Sequence, residues 1–409
     1  MGQPWKTDEY FVSQMNYIPQ VTKDYALAPR VKIHDVTLRD GEQQTGVELR
    51  KDDKIRIAEK LAEAGIHRIE AGMPAVSRQD EAAIREIVKR NLGPEIFGFC
   101  RCVVEDVKLA ADCGVSGVVI EIPSSEHIIQ KAYKWPLAKA VDLSVKATRL
   151  AHELGLYVVF FTIDATRADP NWLKEIILQV AREGHMDALT IVDTMGAASV
   201  PAARHHVRQV KSFVDTPLEA HFHNDFGLAI ANSLAAVEEG AEVVHTTVLG
   251  MGERAGQAAT EQMAMALKLL YGLDTGVRLD RLYELCSVVA QVTGHVVPEN
   301  QPVVGKRLFQ IESGIPAAWW MGVDAGDRTE VMPYLPSLVG RPDVEIVLGK
   351  KSGIGSVEHH LRALGIDPSP EQIAAITVAV KEEAIRRRRL VLPEELKQLA
   401  TSLMDNKGS

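Results

Sequence analysis

An alternation of short apolar runs with longer amphipathic stretches constrains this chain more than any other feature of its sequence. Each apolar run is rich in β-branched residues and ends in a polar turn, and the stretch that follows has helical periodicity. Segments such as VVIEIP and YVVFFT are apolar almost throughout, which is typical of strands covered on both faces in a parallel sheet. The candidate strands are Val31–Val36, His67–Gly72, Glu95–Cys100, Gly117–Ile122, Leu156–Thr162, Asp187–Asp193, Leu218–Phe222 and Glu242–Val248.

Eight strand–helix units in about 240 residues predict an α/β fold, namely a (β/α)8 TIM barrel over residues 30–274. An open, doubly wound sheet is the structural alternative, but no G-x-G-x-x-G follows the first strand. Glycines just past predicted helices indicate left-handed helix caps, because only glycine adopts that conformation without strain. They are Gly65, Gly114, Gly155, Gly184 and Gly240.

The alternation stops near Gly272, and residues 275–409 are predicted to form a mostly helical linker or lid subdomain. Residues 1–29 precede the first strand as an N-terminal extension. So many aromatic residues are unusual in a disordered tail, and we expect the extension to pack on the barrel or on a partner subunit. These aromatic residues are Trp5, Tyr10, Phe11, Tyr17 and Tyr25.

The net charge of the 409-residue chain is −9, which gives no electrostatic reason to expect nucleic acid or an anionic membrane as a partner. No apolar run reaches the roughly 18 residues of a membrane span, and the N-terminus lacks the pattern of a secretory signal. The four cysteines are too sparse for a disulfide framework and show no C-x-x-C zinc pattern. We therefore expect a protein of the reducing cytoplasm.

Two histidines at the end of the seventh strand suggest a metal site. His221 and His223 point to the same side of a strand, about 7 Å apart, at the end of the barrel where active sites lie. Closure of the barrel brings Asp40, after strand one, within reach. Two histidines and a carboxylate leave positions at which a 2-oxo acid can chelate, and the metal then polarises its keto group. Nitrogen and oxygen donors permit Mg, Mn, Zn, Co or Fe. The alternative is a hydrogen-bonded histidine pair at the rim.

Arg39 stands beside the proposed ligand, where its guanidinium could stabilise an enolate. Its alternative role is a structural ion pair with Glu42 or Glu70. Thr194 could donate a hydrogen bond to a substrate carboxylate or serve as a simple hydroxyl at a strand end. Further polar residues at these strand ends and in the GMGERAGQ loop are predicted to contact substrate, namely Gln43, Glu70, Arg101, His127 and Glu253.

Six segments in this order and spacing resemble the metallolyase superfamily with a DRE-type TIM barrel. That superfamily contains isopropylmalate, homocitrate and citramalate synthases and 3-hydroxy-3-methylglutaryl-CoA lyase. The resemblance covers about Val31–Gly272 and continues more weakly through Leu308–Ile315 and Val339–Gly353. The segments are VTLRDGEQ (Val36–Gln43), IEAGMP (Ile69–Pro74), EIPSSEH (Glu121–His127), VDTMG (Val192–Gly196), EAHFHNDFGLAIAN (Glu219–Asn232) and GMGERAGQA (Gly250–Ala258).

The resemblance implies Asp40, His221 and His223 as metal ligands, Arg39 facing the keto oxygen and Thr194 contacting the substrate carboxylate. The GERAG segment is similar to the synthase branch, since lyases usually carry a cysteine in that loop. The synthases join acetyl-CoA to a 2-oxo acid in a Claisen-type condensation, release CoA and form homodimers in which one subunit's appendage caps the other's barrel. The resemblance therefore implies a divalent metal, acetyl-CoA as co-substrate and a homodimer.

Two departures from the family pattern fall in the barrel. Gln257 stands where an asparagine near the metal is usual, and the extra methylene puts a direct bond from its side chain to the metal in doubt. Ile163 replaces a glutamate that helps to read the substrate side chain, which favours a different or more apolar acceptor.

The appendage departs further. The family's H-x-S-G-I-H segment is here Ile311–Pro316, without either histidine, and Val331 stands where a catalytic tyrosine is expected. In the synthases these groups deprotonate acetyl-CoA, so the usual base is missing. The candidates to replace it are Glu312, Tyr334 and His127.

Other functions remain open from the sequence. A C–C lyase or aldolase would run the reverse chemistry on a metal-bound hydroxy acid. A catalytically silent protein that binds metal and a 2-oxo acid is favoured by the missing histidines. An amidohydrolase-type barrel also uses H-x-H, but carries it on strand one. Thiol release that depends on acetyl-CoA would distinguish the synthase from the others.

Overall fold

Eight parallel strands form a closed barrel in the computed structural model of the chain, which describes residues 3–405. The strands are β1 (Lys32–Asp35), β2 (Arg68–Glu70), β3 (Glu95–Arg101), β4 (Gly117–Pro123), β5 (Tyr157–Ile163), β6 (Ala188–Asp193), β7 (Leu218–Phe222) and β8 (Val243–Thr246). Each strand pairs with the next along the chain, and β1 closes the barrel against β8 with Lys32 opposite Val243. The predicted TIM barrel is confirmed.

Helices follow the strands and cover the outside of the barrel, as the apolar strands require. The short helix α1 (Pro19–Thr22) precedes β1. The helices after β1 are α2 (Lys51–Glu63), α3 (Arg78–Lys89), α4 (Val104–Asp112), α5 (Leu137–Glu153), α6 (Pro170–Glu183), α7 (Val200–Lys211), α8 (Ala229–Glu238), α9 (Thr260–Tyr271) and α10 (Leu282–Thr293). The sequence at the start of α6 explains why the helix begins there. Asp169 accepts hydrogen bonds from the N–H groups of Asn171 and Trp172, and Pro170 takes the first helical position.

All five predicted glycines lie at helix ends, but one of them is not left-handed. Gly65, Gly114, Gly155 and Gly240 have positive φ angles of 76° to 92°, as left-handed caps require. Gly184 ends α6 as predicted, but its φ of −98° shows that the predicted left-handed conformation is wrong there. A Cβ at Gly184 would lie 2.4 Å from Thr148 Oγ1, and the position therefore needs glycine for space.

Aromatic and aliphatic side chains fill the barrel interior between the middle strands. This cluster contains Phe97, Phe99, Val119, Val159, Phe161, Ala188 and Val192. Side chains two residues apart on a strand share a face, so the strands continue past this layer toward polar residues at their carboxyl ends. The barrel interior is therefore apolar between the middle strands and polar at the carboxyl ends of the strands.

The described residues form two compact units. One comprises Gln14–Val297, and the other joins the residues before Gln14 to those from Pro298 onward. The boundaries inferred from sequence, at 29/30 and 274/275, mark the limits of the strand–helix alternation and stay a prediction. None of the helices in residues 3–405 is long and apolar enough to cross a membrane.

The second unit is mostly helical, as predicted. It contains α11 (Gly314–Gly322), α12 (Ile354–Ala363), α13 (Pro370–Arg387) and α14 (Pro393–Asp405), with a parallel pair of short strands, β9 (Gln310–Ile311) and β10 (Glu345–Ile346). Its core lies between α12, α13 and α14, around residues such as Leu361, Ile376 and Leu396.

The N-terminal extension is divided between the two units. Phe11 N–H donates to Pro333 O at 2.9 Å within the second unit. Tyr17 instead belongs to the barrel unit, where its hydroxyl donates to Leu269 O at 2.6 Å. The expected packing on the barrel therefore holds for Tyr17, in the later part of the extension.

Candidate metal centre and active site

Strand β7 presents a column of three polar side chains to the barrel interior. Glu219, His221 and His223 are two residues apart, so they share one face, and all three are buried. The Nε2 atoms of His221 and His223 lie 3.3 Å apart.

Asp40 approaches the two histidines from the turn that follows β1. Its Oδ2 lies 3.2 Å from His221 Nε2 and 3.7 Å from His223 Nε2. Burial opposes ionisation of this carboxyl, but the Arg39 guanidinium holds its pKa well below its usual range. Burial lowers the pKa of His221 to about 3. A carboxylate and neutral imidazole are the protonation states that bind metals.

The donor set fits a divalent cation. His223 Nδ1 lies 3.2 Å from the carbonyl oxygen of Gly256, which can only accept, so Nδ1 carries the proton and Nε2 keeps its lone pair. Gln257 Nε2 donates to Asp40 Oδ2 at 2.7 Å. Asp40 Oδ1 and Gln257 Oε1 are buried without a hydrogen-bond partner among residues 3–405. Lone pairs that converge in this way repel one another unless a cation lies between them.

Arg39 is held beside this cluster with one nitrogen unused. Its Nε donates to Glu70, Nη1 lies 3.6 Å from Asp40 Oδ2, and its guanidinium stacks 4.1 Å from the centre of the Phe99 ring. Nη2 is buried without a hydrogen-bond partner in the described residues. The ion pair with Glu70 is therefore present, and it leaves a donor available to a ligand.

A cavity of about 760 Å³ opens beside Arg39. That volume is in the range of small-molecule sites. Gln43 and Lys54 contribute polar groups, and Lys54 is fixed by ion pairs with Glu42 at 2.6 Å and with Asp80. Phe99 supplies apolar surface, and so do Leu38, Val47, Leu49, Met73 and Val76.

Contacts between polar groups join the loops that follow β4, β5 and β6. His127 Nε2 lies 2.8 Å from Asp164 Oδ2, and the N–H of Asp164 donates to Thr194 Oγ1 at 2.8 Å. Asp164 has φ +62°, a strained conformation outside glycine that fits a residue fixed by surrounding contacts. Thr194 accepts in this bond, so the bond does not use the proton of its hydroxyl.

The glycine-rich loop after β8 contains a long Glu253–Arg254 ion pair, but Arg254 is held more closely by Asp225. Arg254 makes a bidentate ion pair with Asp225, whose nearest contact is 2.8 Å. Glu253 is more than half exposed and 3.7 Å from Arg254. Arg101 likewise forms a bidentate pair with Asp106, at 2.8 and 2.9 Å, which occupies its fork of donors.

Glu121 is a residue whose role the sequence did not single out. It lies on β4 two residues beyond Val119, so it faces the barrel interior. Burial raises the pKa of its carboxyl to about 7, against the opposing effect of Arg39. Its Oε2 has no hydrogen-bond partner within residues 3–405. The signal was present in the sequence, because one acidic residue interrupts the apolar run VVIEIP.

The two candidate bases from the appendage lie in the second unit. Glu312 accepts a hydrogen bond from the N–H of Lys351 at 3.1 Å and pairs with that residue's Nζ at 3.0 Å. Tyr334 packs edge-on against Phe309, and burial raises the pKa of its hydroxyl.

Fold and site together define a TIM-barrel protein with a candidate divalent-metal centre at the carboxyl ends of its strands. The chain belongs to the HMGL-like family, whose model matches residues 30–289. It is 37% identical over 375 residues to homocitrate synthase AksA of Methanothermobacter thermautotrophicus, covering 91% of this chain and 93% of that protein. It is 40% identical over 352 residues to 2-isopropylmalate synthase of Methanocaldococcus jannaschii, covering 86% and 66%.

Among solved structures, HMG-CoA lyase of Bacillus subtilis has a TM-score of 0.60 at 20% sequence identity, covering 66% of this chain and 96% of that one. At that identity the likeness concerns the fold alone.

Proposed function

We propose that this protein condenses an acyl-CoA, acetyl-CoA in the first instance, with a 2-oxo acid. A proton leaves the methyl group of the thioester, and the resulting carbanion attacks the keto carbon. The keto oxygen ends as a hydroxyl, and hydrolysis of the thioester releases CoA. The observation that carries the proposal is the convergence of Asp40, His221 and His223 beside an unpaired Arg39 nitrogen. Curated synthases that match most of this chain support the direction of the reaction.

Asp40, His221 and His223 are proposed to hold a divalent metal, with Gln257 Oε1 as a further oxygen donor. A bound ion supplies Lewis-acid polarisation of the keto group. Arg39 is proposed to donate from Nη2 to the keto oxygen and to stabilise the charge that develops there. Thr194 is proposed to donate its hydroxyl proton to the substrate carboxylate.

The acyl-CoA is proposed to enter through the cavity beside Arg39, past Gln43. Of the three candidate bases, His127 is supported best, because a buried carboxylate 2.8 Å away orients its ring. Glu312 and Tyr334 are engaged within the second unit and are kept as secondary candidates.

The acceptor is proposed to be a 2-oxo acid with an apolar side chain. Ile163 is packed against the cluster that contains Phe99 and Phe161, where the family carries a glutamate. Glu70, Arg101 and Glu253 remain candidates for substrate contact, although one oxygen of Glu70 accepts from Arg39 and Asp106 engages Arg101.

We further propose a cytoplasmic homodimer without nucleic-acid or membrane partners, with residues 30–274 as the catalytic barrel and residues 275–409 as a linker or lid subdomain. Sedimentation velocity at micromolar concentration tests the dimer, and a monomeric profile would refute it.

The activity test uses full-length protein loaded separately with Mg, Mn, Zn or Co. Each sample is given acetyl-CoA with glyoxylate, pyruvate, oxaloacetate, 2-oxoisovalerate or 2-oxoglutarate, and free CoA is measured against a chelated control. Chelator-sensitive release with one acid, greatest for 2-oxoisovalerate, is expected. Absence of CoA release with every acid would reject the synthase. The lyase would then be tested by cleavage of the matching hydroxy acids, and the catalytically silent protein by calorimetric binding of the 2-oxo acids.

A further inference from the structure

A second group of histidines and carboxylate lies in the barrel next to the candidate metal centre. The ligand atoms of His34, Glu219 and His245 lie within 4.8 Å of one another, and all three side chains are buried. By composition alone this group could hold a second metal ion. Its hydrogen bonds favour a different role.

The negative charge of the Glu219 carboxylate is already balanced by a buried guanidinium. Its Oε1 accepts a hydrogen bond from Arg68 Nη1 at 2.6 Å, and its Oε2 lies 2.7 Å from His245 Nε2. Arg68 is 4% exposed and packs over the rings of Phe97 and Tyr157. Both oxygens of Glu219 are therefore occupied, and a cation would have to displace Arg68 or His245 from them, so the group is a poor metal site.

The remaining nitrogen of His245 faces a proposed metal ligand. Strand β8 pairs with β7 with Val244 opposite Ala220, and the next position in that register sets His245 beside His221. The Nδ1 atoms of these two histidines lie 3.3 Å apart. One of the two nitrogens must therefore donate and the other accept.

The direction of that hydrogen bond follows from Glu219. A carboxylate only accepts, so His245 Nε2 carries the proton, and a neutral His245 then presents a lone pair at Nδ1. His221 must donate from Nδ1, which leaves the lone pair of its Nε2 directed toward Asp40 and His223.

We propose that Arg68, Glu219 and His245 form an orienting relay that sets the tautomer of His221 for metal binding, and that this second group holds no metal of its own. The proposal rests on the proposed metal site. The relay residues are positioning residues, since none of them touches the ion. Hydrogen bonds of this kind to metal-bound histidines change metal affinity by about 10- to 100-fold.

His34 offers a matched control. It is as deeply buried as His245, and their rings pack 4.5 Å apart. Neither ring nitrogen of His34 has a hydrogen-bond partner among residues 3–405. The pair His245→Leu and His34→Leu therefore removes one ring each from the same layer, and only the first substitution breaks the relay.

The test measures the affinity and stoichiometry of Zn²⁺ and Co²⁺ by competition with a chromogenic chelator, on full-length metal-free protein. Wild type is expected to bind one ion per chain. His245→Leu should weaken binding about 10- to 100-fold, and Glu219→Gln in the same direction, while His34→Leu stays within about threefold. Thermal unfolding of the metal-free variants corrects for lost packing. Two ions per chain, or unchanged affinity in a folded His245→Leu, would overturn the proposal.

A second measurement does not depend on metal binding. In metal-free wild type labelled with ¹⁵N-histidine, the ring of His221 should appear as the Nδ1–H tautomer, and His245→Leu should change it. Finding Nε2–H on His221 in wild type would overturn the relay. If the Nδ1–H tautomer is found but wild type binds no divalent ion, the relay stands and the proposed function fails.

Discussion

At the carboxyl ends of the barrel strands, buried polar atoms lack hydrogen-bond partners among the described residues, whereas the candidate groups of the second unit are engaged or packed. Asp40 Oδ1, Arg39 Nη2 and Glu121 Oε2 are all buried and unpaired. By contrast, Lys351 engages the Glu312 carboxylate through its N–H and its Nζ. A buried polar atom without a partner costs about 1–3 kcal/mol.

The cost of an unpaired buried group indicates where a ligand is expected to bind. A fold keeps unpaired buried groups when a bound ion or substrate completes them, and satisfied groups contribute to stability without one. We infer that the barrel unit carries the binding energy for metal and 2-oxo acid.

The largest effect is expected for Asp40→Asn. The amide keeps the size of the side chain but loses the anion that faces both histidines, so metal content should fall and CoA release should drop by about 1,000-fold or more. Metal analysis and the thiol assay measure the two effects. Asp142→Asn, at an exposed site on α5, is the control for charge removal and should leave both unchanged. A metal-loaded, active Asp40→Asn enzyme would show that Asp40 is not needed for metal binding or for CoA release.

Arg39→Lys should separate chemistry from metal binding. Lysine keeps the charge but loses the fork that reaches Glu70 and the ligand together. We expect kcat to fall by about 100-fold with metal content unchanged, as for the loss of a donor to a developing oxyanion. Arg85→Lys on the exposed face of α3 serves as the control. Equal loss of metal and kcat would show instead that Arg39 mainly supports Asp40.

Glu121 gives a prediction about stability. Burial raises the pKa of its carboxyl from 4.5 to about 7, so the folded state favours the protonated form. The contribution of Glu121 to stability is therefore present below about pH 4.5 and is lost as the pH rises to about 7. Relative to wild type, Glu121→Gln should gain about 2–3 kcal/mol in the free energy of unfolding between pH 4.5 and pH 7.5.

Urea denaturation of the metal-free proteins at both pH values measures this gain. Glu105→Gln, at an acidic residue in the first turn of α4, is the control and should show no such pH-dependent difference. A constant difference between wild type and Glu121→Gln at all pH values would mean that Glu121 is ionised throughout and stabilised by Arg39.

Strand parity and barrel closure account for how much of the site could be predicted. The spacing of His221 and His223 fixes their common face, and pairing of β1 with β8 brings Asp40 to them. Their proximity follows from these local rules, and their role as ligands stays a prediction. The residues that complete the surroundings come from separate strands, and no local pattern pairs them.

The contacts of Arg68 and Arg101 illustrate that limit. Arg68 reaches Glu219 across 151 positions of sequence, and only the closed barrel brings them together. Arg101 was predicted to contact substrate because it ends a strand, yet Asp106, five residues on, accepts from its Nε and Nη2. A strand end identifies which residues can reach the site, and competition among neighbouring charges decides which remain available.

The smallest effect is expected for the appendage candidates. In Glu312→Gln the amide can still accept from the N–H of Lys351, and Tyr334→Phe keeps the packing against Phe309. If the base lies in the barrel unit, each variant should retain kcat within about fivefold, whereas His127→Asn should lower kcat by about 100-fold or more. Steady-state kinetics with saturating acetyl-CoA separates kcat from KM. A drop of about 100-fold in Glu312→Gln or Tyr334→Phe, with His127→Asn near wild type, would move proton abstraction to the second unit. The barrel would then hold the acceptor and the appendage the base.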